Sequence, residues 1–458
     1  MISMKLSDAA VAINGTLIGS DASFAGVSTD TRTLREGELF VALQGETFDG
    51  HNMCHQAATA GAVASIVHKD VETAMPLLRV NDTRIALGQL ANDWRGKHRL
   101  KVIGITGSNG KTTVKEMTAA ILRQKGEVLA TAGNFNNDIG LPKTLFQLRA
   151  EHEFAVLEMG ANHRGEISQL AALAEPDVAV ITLCAPAHLE GFGSIDKVAE
   201  AKGEIYSGLS EDGVAIVNAD DDYCEYWQGL IGSRRQLTFG MNPTADVFAT
   251  DIEHHGLGVG VSFVLNHGGE REPIHIPHDG LHNVMNALAA SAAALAVQLD
   301  MAQISAGLAS TKLVSGRLNI YSVDESIRVI DDTYNANPTS LMAAVKLAAN
   351  TANEAWVVLG DMGELGDDGE RLHAECGDDM RRLAITQLLT VGELSAAAAN
   401  AFGPGAEHFS DKEKLNERLK EKLLARGEQP LTILVKGSRA ANMETVVSAL
   451  IATGERIC

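Results

Sequence analysis

The chain has 458 residues, of which 45% are hydrophobic and 21% charged, and its formal net charge is -21. At roughly 150 residues per domain that length suggests three domains, each long enough to bury a core, and with only 4% aromatic residues those cores must be built from Ala, Val, Leu and Ile. The negative charge repels nucleic acid and anionic membranes and argues against either as a partner; an anionic small substrate would need basic side chains and helix N-termini to reverse the field locally.

Cys54, Cys184, Cys224, Cys376 and Cys458 are far apart and contain no C-x-x-C pair. Neither a disulfide framework nor a zinc site is expected, and a reducing compartment fits. The opening MISMKLSDAA lacks a signal-peptide layout, so a cytoplasmic location is expected. The most apolar helix, around Leu281 to Leu299, is interrupted by His282, Asn283, Asn286 and Ser291. It reads as a buried helix and not as a membrane insertion.

The chain divides into three blocks: residues 1–82, 83–312 and 313–458. In the first, Leu39–Leu43 and Ala64–Val67 read as strands around a Gly-rich stretch from Gly45 to Asn52. The second opens with an amphipathic helix from Arg84 through Trp94. Strands at Lys101–Thr106, Phe154–Met159 and Asp177–Leu183 then alternate with helices from Lys111, Gly165 and Ser194. Such alternation predicts a parallel sheet covered by helices. Short alternating runs over 235–280 predict an antiparallel extension of that sheet. The third block has strands at Arg328–Asp332, Ala355–Asp361, Gln387–Val391 and Leu431–Lys436, each followed by a helix. This pattern predicts a separate doubly wound, Rossmann-like domain. The fold class is α/β throughout.

The sharpest motif is Gly107, Ser108, Asn109, Gly110, Lys111, Thr112 and Thr113, which follows a strand and opens a helix. That is the context a phosphate-binding loop requires. Glycines let backbone N–H groups approach the phosphates. Lys111 supplies a point charge, and the Thr112 hydroxyl can ligate magnesium. The strict pattern would have Gly where this chain has Ile105, so the loop is a variant with Gly107 at its turn.

Glu158 ends the strand Phe154–Met159, where carboxyl ends of parallel strands face a ligand crevice. It reads equally as a magnesium ligand or as a helix-capping acid. His188 and Lys202 taken alone are ordinary surface or core residues. Asn283 and Asn286 share one helix face and need partners if buried, either as caps or as contacts to a nucleotide base.

TGSNGKTT, the segment Glu158-Met159-Gly160-Ala161-Asn162, AHLEGFGS (Ala187–Ser194), AKGEI and HNVMNALAA together resemble the Mur ligase family. The match runs from about residue 1 to the C-terminus with motifs in the family's order. Asp331-Asp332-Thr333-Tyr334-Asn335-Ala336-Asn337-Pro338, Lys436-Gly437-Ser438-Arg439 and the opening Ser28-Thr29-Asp30-Thr31-Arg32 narrow the resemblance. They look like the branch that adds D-alanyl-D-alanine to UDP-N-acetylmuramoyl-tripeptide.

The resemblance implies a small N-terminal nucleotide-sugar domain, a central ATPase domain and a C-terminal domain that receives the dipeptide, working as a monomer in the cytoplasm on ATP and Mg2+. It implies that Lys111 and Thr112 grip ATP and magnesium, with Glu158 and His188 as further magnesium ligands. Lys202 would carry a carbamate, a reaction open to a desolvated neutral lysine. Asn283 would contact adenine, Arg317 the phosphates and Asp332 the ribose. Ser28 and Arg32 would contact the uridine nucleotide, Asn136, Asn137 and Asp138 would lie near the sugar-peptide, and Lys436 would face the peptide substrates. Where the family shows Pro-Gly-Arg this chain has Ser315-Gly316-Arg317, and it has Thr333 where Ser is common; neither change removes a functional group. The third peptide residue, meso-diaminopimelate or lysine, stays open.

Three other readings compete. A related ligase adding glutamate to a folate would lack the STDTR segment. A transport ATPase would need no amine acceptor. A dinucleotide oxidoreductase would show G-x-G-x-x-G after the first strand of the last domain, which this chain lacks.

Overall fold

The computed structural model describes residues 1–350 and 354–454; Cys458 lies outside them, and the other four cysteines are free thiols. Three principal sheets carry the molecule. In the first 82 residues, five short strands run in the order Thr16–Ile18, Leu77–Arg79, Ala64–Val67, Leu39–Val41 and Val27–Ser28. All pairs but the first are parallel.

The central sheet has nine strands. Lys101–Thr106 lies between His152–Glu158 and Val178–Ile181, parallel to both. The expected antiparallel extension is present in Val247–His254, Val261–His267 and Glu270–Ile276. Arg235–Gly240 within the same stretch is instead parallel to both of its neighbours. Helices cover both faces, as the alternation predicted. On one side Lys111–Leu122 packs against Leu281–Ala296 and Met301–Ala309. Six alanines of Leu281–Ala296 are wholly buried in that layer, which lets helix backbones approach closely in a chain poor in aromatics. The closest approach is at Gly307, where a Cβ would stand 2.3 Å from the Ile121 Cα.

The third sheet has six strands in the order Asn319–Ser322, Ile327–Asp332, Leu431–Lys436, Glu354–Gly360, Gln387–Val391 and Ala406–Phe409. All pairs are parallel except the first. Asn319–Ser322, Ala406–Phe409 and the helix Ser395–Phe402 are additions to the predicted elements.

The connections between these sheets differ in kind. Ile2, Leu6 and Phe24 share one apolar core with Leu141, Leu145 and Phe146 of the central region, and the Ile2 N–H donates to the Phe146 carbonyl at 2.7 Å. The core of the third sheet takes in Leu257 of the central region, with the half-buried Leu189 packed against it, and polar contacts around the site described next complete the junction.

Gly307→Ala should lower stability by about 1–3 kcal/mol, because the added methyl meets backbone that has no rotamer to yield. The check is thermal unfolding of the full chain, where an unchanged midpoint would refute the packing argument.

Candidate active site

The turn after Lys101–Thr106 is built around two glycines. Gly107 has φ 145° and Gly110 φ 81°, both in the region that L side chains avoid. Neighbours also exclude a side chain there. A Cβ on Gly107 would collide with Thr182 Oγ1, and one on Gly110 would lie 2.4 Å from Asn286 Oδ1. The loop is held by its backbone. Ser108 N–H donates to the Leu183 carbonyl at 2.9 Å, Ser108 Oγ donates to the Ala185 carbonyl at 3.0 Å, and Thr182 Oγ1 donates to the Asn109 carbonyl at 2.5 Å. Gly110 caps the helix Lys111–Leu122, so the helix N-terminus opens on the turn. Lys111 Nζ folds back onto the Gly107 carbonyl at 2.7 Å, and the desolvation around it lowers its pKa.

Glu158 is buried. Thr112 Oγ1 donates to its Oε2 at 2.8 Å, Asn136 Nδ2 donates to its Oε1 at 2.8 Å, and its N–H donates to Thr131 Oγ1 at 3.0 Å. Asn136 thus serves Glu158. Asn137 caps the turn into Gly140–Leu145 through the Gly140 N–H at 2.8 Å, and Asp138 pairs with Arg84.

Lys202 is 1% exposed. No carboxylate among the described residues pairs with it, and its nearest aromatic neighbour is the Phe192 ring, with Nζ 5.4 Å from the centroid. Burial, helped by the nearby Lys111 charge, brings its pKa down to about 7. His188 sits in the left-handed region at φ 53°, ahead of the short helix Leu189–Phe192. Its Nδ1 lies 2.7 Å from Glu364 Oε2, which holds the Glu364 carboxyl below its usual range.

The third domain closes the other wall. Arg317 donates from a terminal nitrogen to Thr112 Oγ1 at 3.0 Å and stacks over Tyr334, its guanidinium carbon 4.2 Å from the ring centroid, a cation–π geometry. Asn337 caps the helix Pro338–Ala349 and exchanges two amide hydrogen bonds with Asn109 of the loop, at 2.7 and 3.2 Å. Asp332 and Lys436 face each other in the register of adjacent strands and form an ion pair. Lys436 Nζ also donates to the Asn335 carbonyl at 2.9 Å, so its charge fixes Asp332 and the following turn.

These groups line one cavity of about 1470 Å³ between the carboxyl ends of the central and third sheets. It brings together Lys111, Thr112, Glu158, His188, Asn136, Asn137, Asp138, Asn283, Arg317, Asp332 and Lys436. Asn283 donates to the Asp279 carbonyl at 2.8 Å and Asn286 to Asn283 Oδ1 at 2.9 Å, so both amides are satisfied while facing the cavity wall. Ser28 and Arg32 are outside this lining; Arg32 pairs with Asp30 at 2.7 Å and holds that carboxyl down to about 2. Lys202 stands behind the wall. Asn337 and Glu364 were not singled out from sequence. Asn-Pro at a helix start is a legible capping signal for Asn337, whereas Glu364 has no local signature.

Three family models match this chain: the Mur ligase family catalytic domain over residues 23–95, the Mur ligase middle domain over 105–294 and the Mur ligase glutamate ligase domain over 316–439. The UDP-N-acetylmuramoyl-tripeptide–D-alanyl-D-alanine ligase of Escherichia coli K12 is 47% identical over 455 residues, spanning 99% of this chain and 100% of the relative. The Bacillus subtilis protein of the same name is 37% identical over 464 residues, with 98% and 99% covered. Among solved structures, MurF from Acinetobacter baumannii superposes with a TM-score of 0.95 at 36% identity over 99% of each chain. A MurF ligase from Thermotoga maritima, in complex with ADP, gives 0.84 at 26% identity over 94% of this chain and 98% of that one.

Asn109→Ala and Asn337→Ala should each weaken nucleotide affinity by about three- to tenfold, the worth of one or two exchanged hydrogen bonds. Only the second should also lower the melting temperature, since it alone removes a helix cap worth about 1 kcal/mol. Calorimetric titration with ADP and thermal melts of both variants test this; additive losses in the double variant would show that the two amides are not coupled.

Proposed function

The chain belongs to the Mur ligase family, and from that premise we infer that it joins D-alanyl-D-alanine to UDP-N-acetylmuramoyl-tripeptide at the expense of ATP, in peptidoglycan precursor synthesis. The observation that carries the reading is the Gly107–Thr113 turn opening into a cavity whose far wall, with Arg317 on Thr112, belongs to the third domain. We assign residues 1–82 to the UDP-sugar, 83–312 to ATP and 313–458 to the dipeptide.

The reaction must first make a carboxylate electrophilic. The peptide carboxylate attacks the terminal phosphorus of ATP and ADP leaves, giving an acyl phosphate; the amine of the dipeptide then attacks its carbonyl and phosphate departs. Positioning and charge do most of this work. Lys111 leaves the Gly107 carbonyl to meet the phosphates, the loop N–H groups hold them, and Arg317 adds charge from the opposite wall. Closure of the third domain keeps water from the acyl phosphate.

Magnesium fits the donor set. Thr112 and Glu158 place two hard oxygens side by side, and with His188 and a carbamate on Lys202 they would hold the ion. Magnesium keeps several water and phosphate ligands, so a small set of protein oxygens suits it. When bound, it would neutralise phosphate charge. The carbamate reading rests on a buried, unpaired amine that titrates near neutrality. A lysine in that state is nucleophilic enough to add carbon dioxide, and the product is the anion that the surrounding cations lack. Ser28 and Arg32 would serve the uridine nucleotide from the edge of the first domain. No helix among the described residues is long and apolar enough to cross a membrane; nucleotide substrates favour work in the cytoplasm, and we read the working unit as a single chain.

Phosphate release should require UDP-muramoyl-tripeptide and rise sharply on adding D-alanyl-D-alanine; release indifferent to the dipeptide would defeat the reading. Lys111→Ala should cut turnover by roughly 10²–10³ or more while leaving affinity for the UDP-substrate intact by calorimetry. Lys202→Ala should be inactive and partly restored by a short carboxylic acid. Because the Lys202 amine must be neutral to take up carbon dioxide, and its pKa is lowered to about 7, activity at limiting bicarbonate should climb as pH rises through that value. A flat profile would speak against the carbamate.

A further inference from the structure

The acceptor of the ligase reading is a zwitterion, and its two charges need partners on the third domain's side of the cavity. The acids lining the cavity are Asp138, Glu158, Glu166, Asp332 and Glu364. Asp138 is paired with Arg84, Glu158 is held by Thr112 and Asn136, and Asp332 is neutralised by Lys436. Glu166 accepts the Asn162 and His163 N–H groups on the central domain. Glu364 alone combines origin in the third domain with a free oxygen. Its Oε2 lies beside His188, its Oε1 has no protein partner among the described residues, and its side chain is 53% exposed.

The backbone delivers that carboxylate deliberately. Glu364 has φ 61°, a conformation that costs a non-glycine residue energy and persists only where its surroundings impose it. The Glu190 N–H donates to the Glu364 carbonyl at 3.3 Å across the domain boundary. The neighbouring turn supplies a cation. Strands Glu354–Gly360 and Leu431–Lys436 are adjacent and parallel, and the turns that follow them pack together: Ser438 N–H donates to the Asp361 carbonyl at 2.8 Å, and a Cβ on Gly363 would touch Ser438 at 3.6 Å. Arg439, next in that turn, lines the cavity and is exposed. It commits one terminal nitrogen to Glu444 at 2.7 Å and keeps other donors of its fork free. Lys436, the cation that the resemblance turns toward the peptide, is engaged by Asp332 and Asn335.

We propose that Glu364 and Arg439 are the clamp for the incoming dipeptide, Glu364 Oε1 taking its amino group and Arg439 its terminal carboxylate. The assignment rests on the ligase reading above. It places the amine beside His188, on the side of the cavity where the acyl phosphate forms, and sends the carboxylate outward along the third domain. It also explains why the acceptor belongs to the third domain although the chemistry happens on the second: the Glu364 turn is the piece of that domain that reaches across.

The test is steady-state kinetics with each substrate varied in turn, together with trapping of the acyl phosphate by hydroxylamine, which needs no acceptor site. Glu364→Gln should raise the KM for D-alanyl-D-alanine about tenfold or more, as expected for loss of a charge-assisted hydrogen bond. KM values for ATP and the UDP-substrate should stay within about twofold, and hydroxamate formation should match the parent. Arg439→Ala should raise the same KM and also abolish the parent's preference for the dipeptide over its C-terminal amide. If Glu364→Gln moves the magnesium requirement and leaves the acceptor KM alone, Glu364 merely positions His188 and the clamp is wrong; equal changes in all three KM values would reduce it to a closure contact and also overturn the proposal. Failure of the parent protein to form hydroxamate would strike the acyl-phosphate reading itself, a result distinct from either.

Discussion

Glu158 is a buried carboxylate whose two oxygens are both bonded, to Thr112 and Asn136, and much of the site's layout follows from what such a group needs. An anion in a low-dielectric place must be matched by donors and cations. Here Lys111, next to Thr112 in the phosphate loop, acts on it electrostatically, and Arg317 arrives from the third domain onto Thr112. In a protein of net charge -21, Lys111 and Arg317 thereby bring positive charge to the wall where anionic phosphates must sit. Lys202 completes the balance differently. Burial, with the nearby Lys111 charge and no carboxylate paired to it among the described residues, favours its neutral amine, and conversion to an anion would relieve the crowding of positive charge.

The same charges divide the molecule into a stiff part and a movable one. The first domain shares a continuous apolar core with the central domain, and separating them would expose that surface to water. The third domain contributes Arg317, the Asn337 amide, Glu364 and few apolar contacts. Polar interfaces of this kind exchange readily with water and with ligand groups, so the contacts that close the cavity are the same groups that ATP and acceptor would engage. The connecting segment turns sharply, with Gly316 and Leu318 both at positive φ, and the Ser315 in this chain omits the ring that would stiffen the turn.

Much of this was legible in residue order. The strand–turn–helix around Gly107 could be read from glycine spacing, and the alternation of strands and helices exposed both parallel sheets, because buried parallel strands are written as unbroken apolar runs. Glu158 at a strand end was legible as a position but not as a partner of Asn136, since 22 residues separate them and only the fold brings them together. Short strands such as Thr16–Ile18 and Asn319–Ser322 escaped notice because three or four residues carry too little periodicity. Asn136 and Lys436, which the resemblance sets toward the substrates, are bonded to Glu158 and Asp332. A sequence shows that a polar group needs a partner, not whether the protein or the ligand provides it.

That distinction bears on Lys436 and Arg439, which sit three residues apart in one motif. Lys436 ends a buried strand directly opposite Asp332, so its ammonium has no economical place except that carboxylate, and removing either would strand a buried charge. Arg439 has passed the end of the strand, lies in solvent, and meets its acid through a single contact. One cation is committed by burial and the other is held loosely enough to exchange. For a site that must release its product after each turnover, the loosely held cation is the physically suitable contact for the substrate, and the buried one is suited to keeping the wall in place while substrates come and go.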